Sequence, residues 1–198
     1  HVLREQGVNV VGLLSTVNAE ADRVAMHAVR RTLLEAQAAA VGLPLHVVDL
    51  PWPCSNEDYQ ERMGAFVAQA RADGVEQVAF GDLFLEDIRA YREAQLEGTG
   101  LAPLFPLWQR PTQELAGTML DAGVRATLTC VDPKRVPREW AGRAWDRELL
   151  AEAPDGVDSC GEHGEFHTFV SWAPGFTAPV EVAHGEVVQR GDFVYADL

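Results

Sequence analysis

The sequence is poor in cysteine, in positive charge and in long apolar runs, and each shortage excludes something. Its 198 residues hold three cysteines, Cys54, Cys130 and Cys160. An odd and sparse set is no disulfide framework, and with no Cys-x-x-Cys pair a zinc ribbon is excluded. This usage points to a reducing, cytoplasmic compartment. Lysine and arginine together number 16 against 30 aspartates and glutamates, for a net charge of −14. Such a chain repels phosphate backbones and anionic lipid, which argues against nucleic-acid and membrane-surface partners. A small anionic ligand, held by one local cluster of positive groups, stays open. No apolar stretch approaches the roughly 20 residues of a membrane span. Neither common phosphate-binding glycine loop is present, nor a Gly-x-Ser-x-Gly nucleophile elbow. There is no internal repeat and no low-complexity tract.

What is present is a well-supplied core. Apolar residues make up 47% of the chain, enough for one large domain or two small ones at about 100–200 residues each. His1–Gly7 reads as the last turns of a helix closed by Gly7, which leads us to expect residues ahead of His1. A strand follows over Val8–Leu14, then Ser15-Thr16-Val17-Asn18, then a helix from about Asp22 to Val41 with Val29, Leu33, Ala36 and Ala40 on one face. Leu45–Leu50 is the next strand. Ser55 and Asp58 form a capping-box pattern ahead of a helix that ends at Gly74. Strands at Val75–Phe80, Leu104–Trp108 and Val124–Val131 alternate with helices at Glu86–Glu97 and Thr112–Ala122.

This alternation predicts an α/β protein with a parallel, Rossmann-like sheet flanked by helices. Beyond Asp132, prolines break the chain, Trp140–Leu150 reads as a short helix, and short β-type runs follow from Phe166. That portion reads as a smaller mixed or β-rich unit packed on the sheet. In parallel sheets ligands bind beyond the carboxyl ends of the strands. The candidate site residues are therefore Ser15–Asn18, Pro51–Cys54, Gly81-Asp82, Trp108–Arg110 and Asp132.

The most unusual segment is Cys160-Gly-Glu-His-Gly-Glu-Phe-His-Thr-Phe169. On an extended chain Glu165 and His167 share a face. Gly161 and Gly164 permit a sharp turn or a close approach. Four readings stay open: an acid–base pair, a carboxylate site for an amine, a metal site from Cys160, Glu162, Glu165 and His167, or a plain polar turn. Gly81-Asp82 at a strand end suits a nucleotide or a magnesium ion. Behind it, Arg89 and Glu93 are placed for an i,i+4 pair. Trp108-Gln-Arg110 follows a strand, where an arginine suits a phosphate, a carboxylate or a surface ion pair. Met26 and His27 fall on the expected helix after the first strand. Cys54 reads as a packed thiol or a nucleophile, and Trp140, Trp145 and Trp172 as core or a homodimer face.

Three of these pieces, in this order, resemble the diphthine–ammonia ligase family, the N-type ATP pyrophosphatases of the PP-loop superfamily. They are Gly81-Asp82 with Arg89 and Glu93, Pro106-Leu-Trp-Gln-Arg110, and Cys160–Phe169 with its Cys-Gly-Glu-x-Gly-Glu-aromatic-x-Thr-Phe pattern. The closing tract from Pro174 to Leu198 is also similar, so the likeness runs along nearly the whole chain. The resemblance implies a HUP-type nucleotide-binding domain over 1–101 and an α+β substrate domain over 102–198. It implies ATP and Mg²⁺ as cofactors, and adenylation of a carboxylate followed by attack of ammonia, with release of AMP. Ser15, Thr16, Val17, Met26 and His27 would border the adenosine. Gly81 and Asp82 would lie near the ribose, the phosphates and the metal. Glu162, Glu165 and His167 would line the acceptor or ammonium site as catalytic residues. Arg89, Glu93, Trp108, Arg110, Cys160 and Gly164 would bind substrate or join the two parts. The family's Ser-Gly-Gly-Lys-Asp-Ser type loop does not occur in this sequence. His167 stands where some relatives carry an acid, which points to a different acceptor.

Overall fold

The computed structural model describes residues 1–25 and 27–198. Met26, expected to border a nucleotide, lies outside the described residues. The chain forms a mixed α/β fold with three small sheets. In the first, β1 (Leu13–Asn18) lies between β2 (Arg23–Val24) and β3 (Leu45–Leu50). It is antiparallel to the former and parallel to the latter, with Leu13 opposite Leu45 and Asn18 opposite Leu50. The second pairs β4 (Gln77–Ala79) in parallel with β5 (Ala102–Leu104). The third is wholly antiparallel. It contains β6 (Arg125–Val131), β7 (Phe166–Trp172), β8 (Val187–Arg190) and β9 (Phe193–Ala196), in the order β7-β6-β9-β8.

Several expectations need correction. Among the described residues parallel pairing is confined to β1–β3 and β4–β5, and the Val124–Val131 strand belongs to the antiparallel sheet instead of extending a parallel one. The first strand begins at Leu13, five residues later than its apolar pattern indicates. The expected Asp22–Val41 helix starts only at Arg31. Before it, Val24 N–H donates to Val29 C=O at 2.8 Å. Arg23 donates to Ala28 C=O and to Asp197, and Arg30 also binds Asp197. Asp22 and Ala28 sit at positive φ. Long-range arginine contacts here override helix propensity. The Trp140–Leu150 segment is a 3₁₀ turn (Arg138–Trp140) and a separate helix, Arg147–Ala151, whose N-terminal amides Asp146 caps at Leu149.

The helices follow sequence rules elsewhere. They are α1 (Val2–Glu5), α2 (Arg31–Val41), α3 (Asn56–Ala72), α4 (Glu86–Leu96), α5 (Thr112–Asp121) and α6 (Arg147–Ala151). The Ser55–Asp58 capping box opens α3 with both reciprocal bonds formed. Gly42 ends α2 in the left-handed conformation. The main core lies under the antiparallel sheet, where Leu128, Val131, Leu149, Val194, Trp140, Trp145 and Phe166 are buried. A second cluster seats Leu33, Ala36 and Ala40 of α2 against Phe169, Val180 and Leu198. A third packs α3, α4 and β4 through Ala70, Leu96, Phe66 and Val78. Trp140 and Trp145 are core residues, and Trp172 is half-buried. No helix of the described residues is long and apolar enough to cross a membrane.

Candidate functional site

The strand β4 gives out where Phe80 N–H donates to Leu104 C=O, and Gly81–Leu83 leaves the sheet. Its next partner is remote. The Leu83 N–H donates to Glu162 Oε1 at 2.7 Å, and the Leu83 C=O accepts from Gln109 N–H at 2.7 Å. Gln109 holds a positive φ of 59° to do so. Buried Leu83 is thus fixed on both backbone sides, and the Gly81-Asp82 turn is held against the Cys160–Phe169 segment.

That segment is built around two carboxylates. Asp158 Oδ1 accepts from the N–H groups of Cys160 (2.8 Å) and Glu162 (3.2 Å), an Asx-type turn. Its other oxygen accepts from the Thr112 hydroxyl at the start of α5. Glu165 is fully buried, and its Oε1 accepts from Asp158 N–H at 3.1 Å. The Arg135 guanidinium stands 3.4 Å from the same oxygen and donates to His163 C=O at 2.8 Å. Gly161 sits at φ +72°, where a Cβ would lie 2.7 Å from Phe166 O, so only glycine fits the turn. The outcome is a rigid loop that aims Glu162 at Leu83.

At the far end, the His27 and His167 rings lie 4.6 Å apart. Burial, and secondarily His27, pushes His167 down to about 4. Burial also lowers His27, against a raising hydrogen bond to the Thr168 backbone. Both rings are neutral near pH 7. Burial raises the Glu162 carboxyl, opposed by the Leu83 N–H and reinforced by Asp82. Burial, with Asp158 and Glu162 nearby, pushes the Cys160 thiol up to about 12. It is therefore a packed thiol whose Sγ lies 3.5 Å from Thr112 C=O. A carboxyl of raised pKa on the loop and a neutral imidazole on β7, which follows it, are equipment for proton transfer. No hydrogen bond joins them among the described residues.

The remaining expected residues divide in two. Arg89 lies with its guanidinium 4.8 Å from the Phe105 ring centroid and 4.7 Å from that of Trp108, and binds Glu93 at 2.8 Å. Asp82 is half-buried, 3.8 Å from Arg92 Nε. The structure brings these to the β4 end of the site. Arg110 is exposed, with no side-chain partner among the described residues. Ser15, Thr16 and Val17 lie in β1 with no hydrogen bond to Gly81, Asp82 or Glu162. Gly164, at φ +79°, donates to Gly161 C=O within the turn. Among the described residues no three His, Cys, Asp or Glu side chains are placed to hold a metal ion. Sequence reasoning missed Asp158, Thr112 and Arg135. Asp158 carried a local signal, an aspartate two residues ahead of the Cys160 amide it accepts from. Arg135 carried none.

Residues 111–197, which contain the Cys160–Phe169 loop, match the family described as diphthamide synthase C-terminal domain. Over 150 residues, 73% of the chain, it is 25% identical to diphthine–ammonia ligase from Bos taurus and from Homo sapiens, and 24% identical to that from Rattus norvegicus. These matches bear out the resemblance to the diphthine–ammonia ligase family. The chain spans about half the length of these relatives, 56% in each case.

Proposed function

We propose that the chain is part of an ATP-binding, AMP-forming amide ligase, which adenylates a carboxylate and amidates it with ammonia. In this reading residues 1–101 form the nucleotide-binding α/β unit, Rossmann-like in origin, and 102–198 the α+β substrate unit. One observation carries the reading: the Leu83 N–H···Glu162 bond joins two pieces of the resemblance that lie 79 residues apart. Glu162 is the acceptor-site carboxylate, and a glutamate there suits a cationic acceptor such as the trimethylammonium of diphthine. His167, neutral at pH 7, takes the proton that the nitrogen sheds once ammonia has added to the acyl carbon and AMP departs, or holds the acyl group. Glu165 holds the loop in shape from within. His27, Ser15, Thr16 and Val17 border the adenosine.

Asp82 fits the role of one of the one or two carboxylates that hold magnesium beside nucleotide phosphates. A bound magnesium supplies charge neutralisation there. The triphosphate is fitted less well. These 198 residues contain no glycine-rich loop bearing a lysine, the usual cradle for such phosphates. No phosphate-cleaving step is therefore assigned to them. That same observation favours a second reading, a non-catalytic adenine-nucleotide-binding module. A third reading, a metal-dependent hydrolase built on Cys160, Glu162 and His167, has no support among the described residues, where no three such side chains are placed to hold an ion.

Calorimetric titration with AMP and with ATP–magnesium, together with pyrophosphate release in the presence of ammonium and a carboxylate acceptor, tests the proposal. Glu162→Gln is expected to keep AMP affinity and lose amide formation. Loss of AMP affinity in that variant refutes the placement of the acceptor site. AMP binding without pyrophosphate release selects the binding module.

A further inference from the structure

The antiparallel sheet has two edges, and the chain treats them differently. At the β7 edge, Val170 C=O accepts from the Gln37 side chain at 2.6 Å, Ser171 C=O accepts from Val180 N–H at 2.8 Å, and the Thr168 backbone holds the His27 ring. At the other edge stands β8, whose outer side meets no backbone group among the described residues. Val187 is 52% exposed, and Gln189 and Arg190 are exposed beside it. An open edge is a template for another strand, and proteins normally blunt it with proline, lysine or a bulge. β8 has none of these.

The ladder fixes which groups face outward. Asp197 N–H donates to Glu186 C=O at 2.9 Å, Val188 stands opposite Tyr195, and Arg190 stands opposite Phe193. Antiparallel strands alternate bonded and non-bonded pairs, so the even-numbered residues of β8 turn their main-chain groups to β9. Those of Val187 and Gln189 turn away from it. Side chains alternate as well. Glu186, Val188 and Arg190 share one face, where they border a cavity of about 150 Å³ with Tyr195, Asp197 and Arg23. Asp197 is engaged there by Arg23 and Arg30, and Asp192 by Lys134. Glu186 and Arg190 have no ionic partner among the described residues, which leaves one charge of each sign on this face of the edge strand.

The geometry points to a second copy of this chain as the strand that pairs with β8, antiparallel, about a two-fold axis passing between the two Val188 residues. The two antiparallel sheets then join into one. In this register Val187 and Gln189 of the second copy exchange both main-chain bonds, and the two-fold repeats the exchange. Glu186 stands opposite Arg190 of the second copy, and Arg190 opposite its Glu186, at the cross-strand range where opposite charges attract. On the other face Val187 and its counterpart are diagonal neighbours, which covers an exposed valine. A slip of two residues either way keeps the main-chain bonds but sets Glu186 against Val188 or against Asp192 of the second copy, so the charges select the register. The chain as a whole repels its copy through a net charge of −14. At β8 the uncommitted charges cancel, which favours approach at this edge. Strand addition of this kind draws affinity from main-chain bonds and selectivity from the side chains.

Sedimentation equilibrium of the 198-residue chain, at concentrations up to about 1 mM and about 0.15 M ionic strength, tests the inference. The expected result is a reversible monomer–dimer equilibrium. Amide exchange at Val187 and Gln189 should slow as concentration rises, while that of Val188, already turned to β9, stays unchanged. Arg190→Glu sets like charges opposite one another and is expected to weaken the dimer by about tenfold or more, as is Glu186→Arg. The double variant Glu186→Arg/Arg190→Glu restores the dimer, and mixing the two single variants restores it between them. Neither misfolding nor a contact elsewhere produces that pattern. Gln189→Pro removes an outward N–H that β9 does not use and is expected to abolish dimerisation with the far-UV circular dichroism unchanged. A chain that stays monomeric at the highest concentration overturns the inference. A dimer that Arg190→Glu and Gln189→Pro leave intact lies on another surface and overturns it too. Protection of the Val187 and Gln189 amides that does not vary with concentration marks an edge covered within one chain, and overturns it equally.

Discussion

Replacing Gly161 by alanine puts the site loop under a defined load. The residue is buried at φ +72°, and an added Cβ would lie 2.7 Å from Phe166 O and 3.0 Å from two of its ring carbons. The left-handed conformation alone costs an L-residue about 1–2 kcal/mol. Relief of the contact requires the Phe166 backbone to retreat by about 0.5 Å, and overpacking of this kind adds about 1–3 kcal/mol. Phe166 cannot retreat freely, because it is 3% exposed in the main core and its strand pairs with Val131. The sum is about 2–5 kcal/mol. Gly164 provides the control: it has φ +79° but nothing within 4 Å of its would-be Cβ, so Gly164→Ala bears only the conformational cost of about 1–2 kcal/mol. Urea denaturation of both variants reads the difference directly. Thermal unfolding should show about 2–4 °C per kcal/mol for a chain of this size. Equal destabilisation by the two alanines would refute the steric argument. In the Gly161 variant the Leu83 amide should also exchange faster, since its acceptor Glu162 is carried on the displaced turn.

Four further outcomes follow from the same contacts. Stability should fall as pH drops from about 6.5 toward 4, because the unfolded chain takes up a proton at His167 that the folded chain refuses until about pH 4. The slope approaches 1.4 kcal/mol per pH unit, and His167→Phe should flatten it in urea melts at stepped pH. Glu165→Ala should cost about 1–3 kcal/mol by leaving Asp158 N–H without an acceptor, and Glu165→Gln should recover part of that in the same melts. Iodoacetamide under native conditions should label Cys54 ahead of Cys130 and Cys160, whose thiols burial pushes up to about 11 and about 12; peptide mass mapping checks the order. Arg89→Ala should cost about 1–2 kcal/mol through its two aromatic stacks, with Trp108 fluorescence shifting in step.

Local signals were legible and long-range ones were not. The Ser55–Asp58 capping box, the Gly42 stop and the Leu45–Leu50 strand are written within a few residues and appear as expected. The helix read from Asp22 failed because Arg23 and Arg30 answer Asp197, more than 160 residues away. The Val124–Val131 strand was legible as a strand, but its direction is set by β7 and β9, which nothing near it announces. At the candidate site, the unusual composition of Cys160–Phe169 marked a segment that the structure holds against Leu83. Its supports were hidden: Thr112 and Arg135 reach the loop from other elements, and Leu83 contributes only its backbone.

The stitching of the site from remote parts of the chain also bears on the order in which the molecule assembles. The bonds that shape it span 79 residues from Leu83 to Glu162, 46 from Thr112 to Asp158 and 28 from Arg135 to His163. Closing such loops carries an entropic cost that local helices do not face, and contacts of this separation form late in folding. The capped helix α3 and the β8–β9 hairpin can organise early; the Glu162 loop acquires its shape only once the segments around residues 83, 112 and 135 are in place. Ligand affinity at this site would then be a reporter of completed folding, lost in partly folded chains that still show most of their helix.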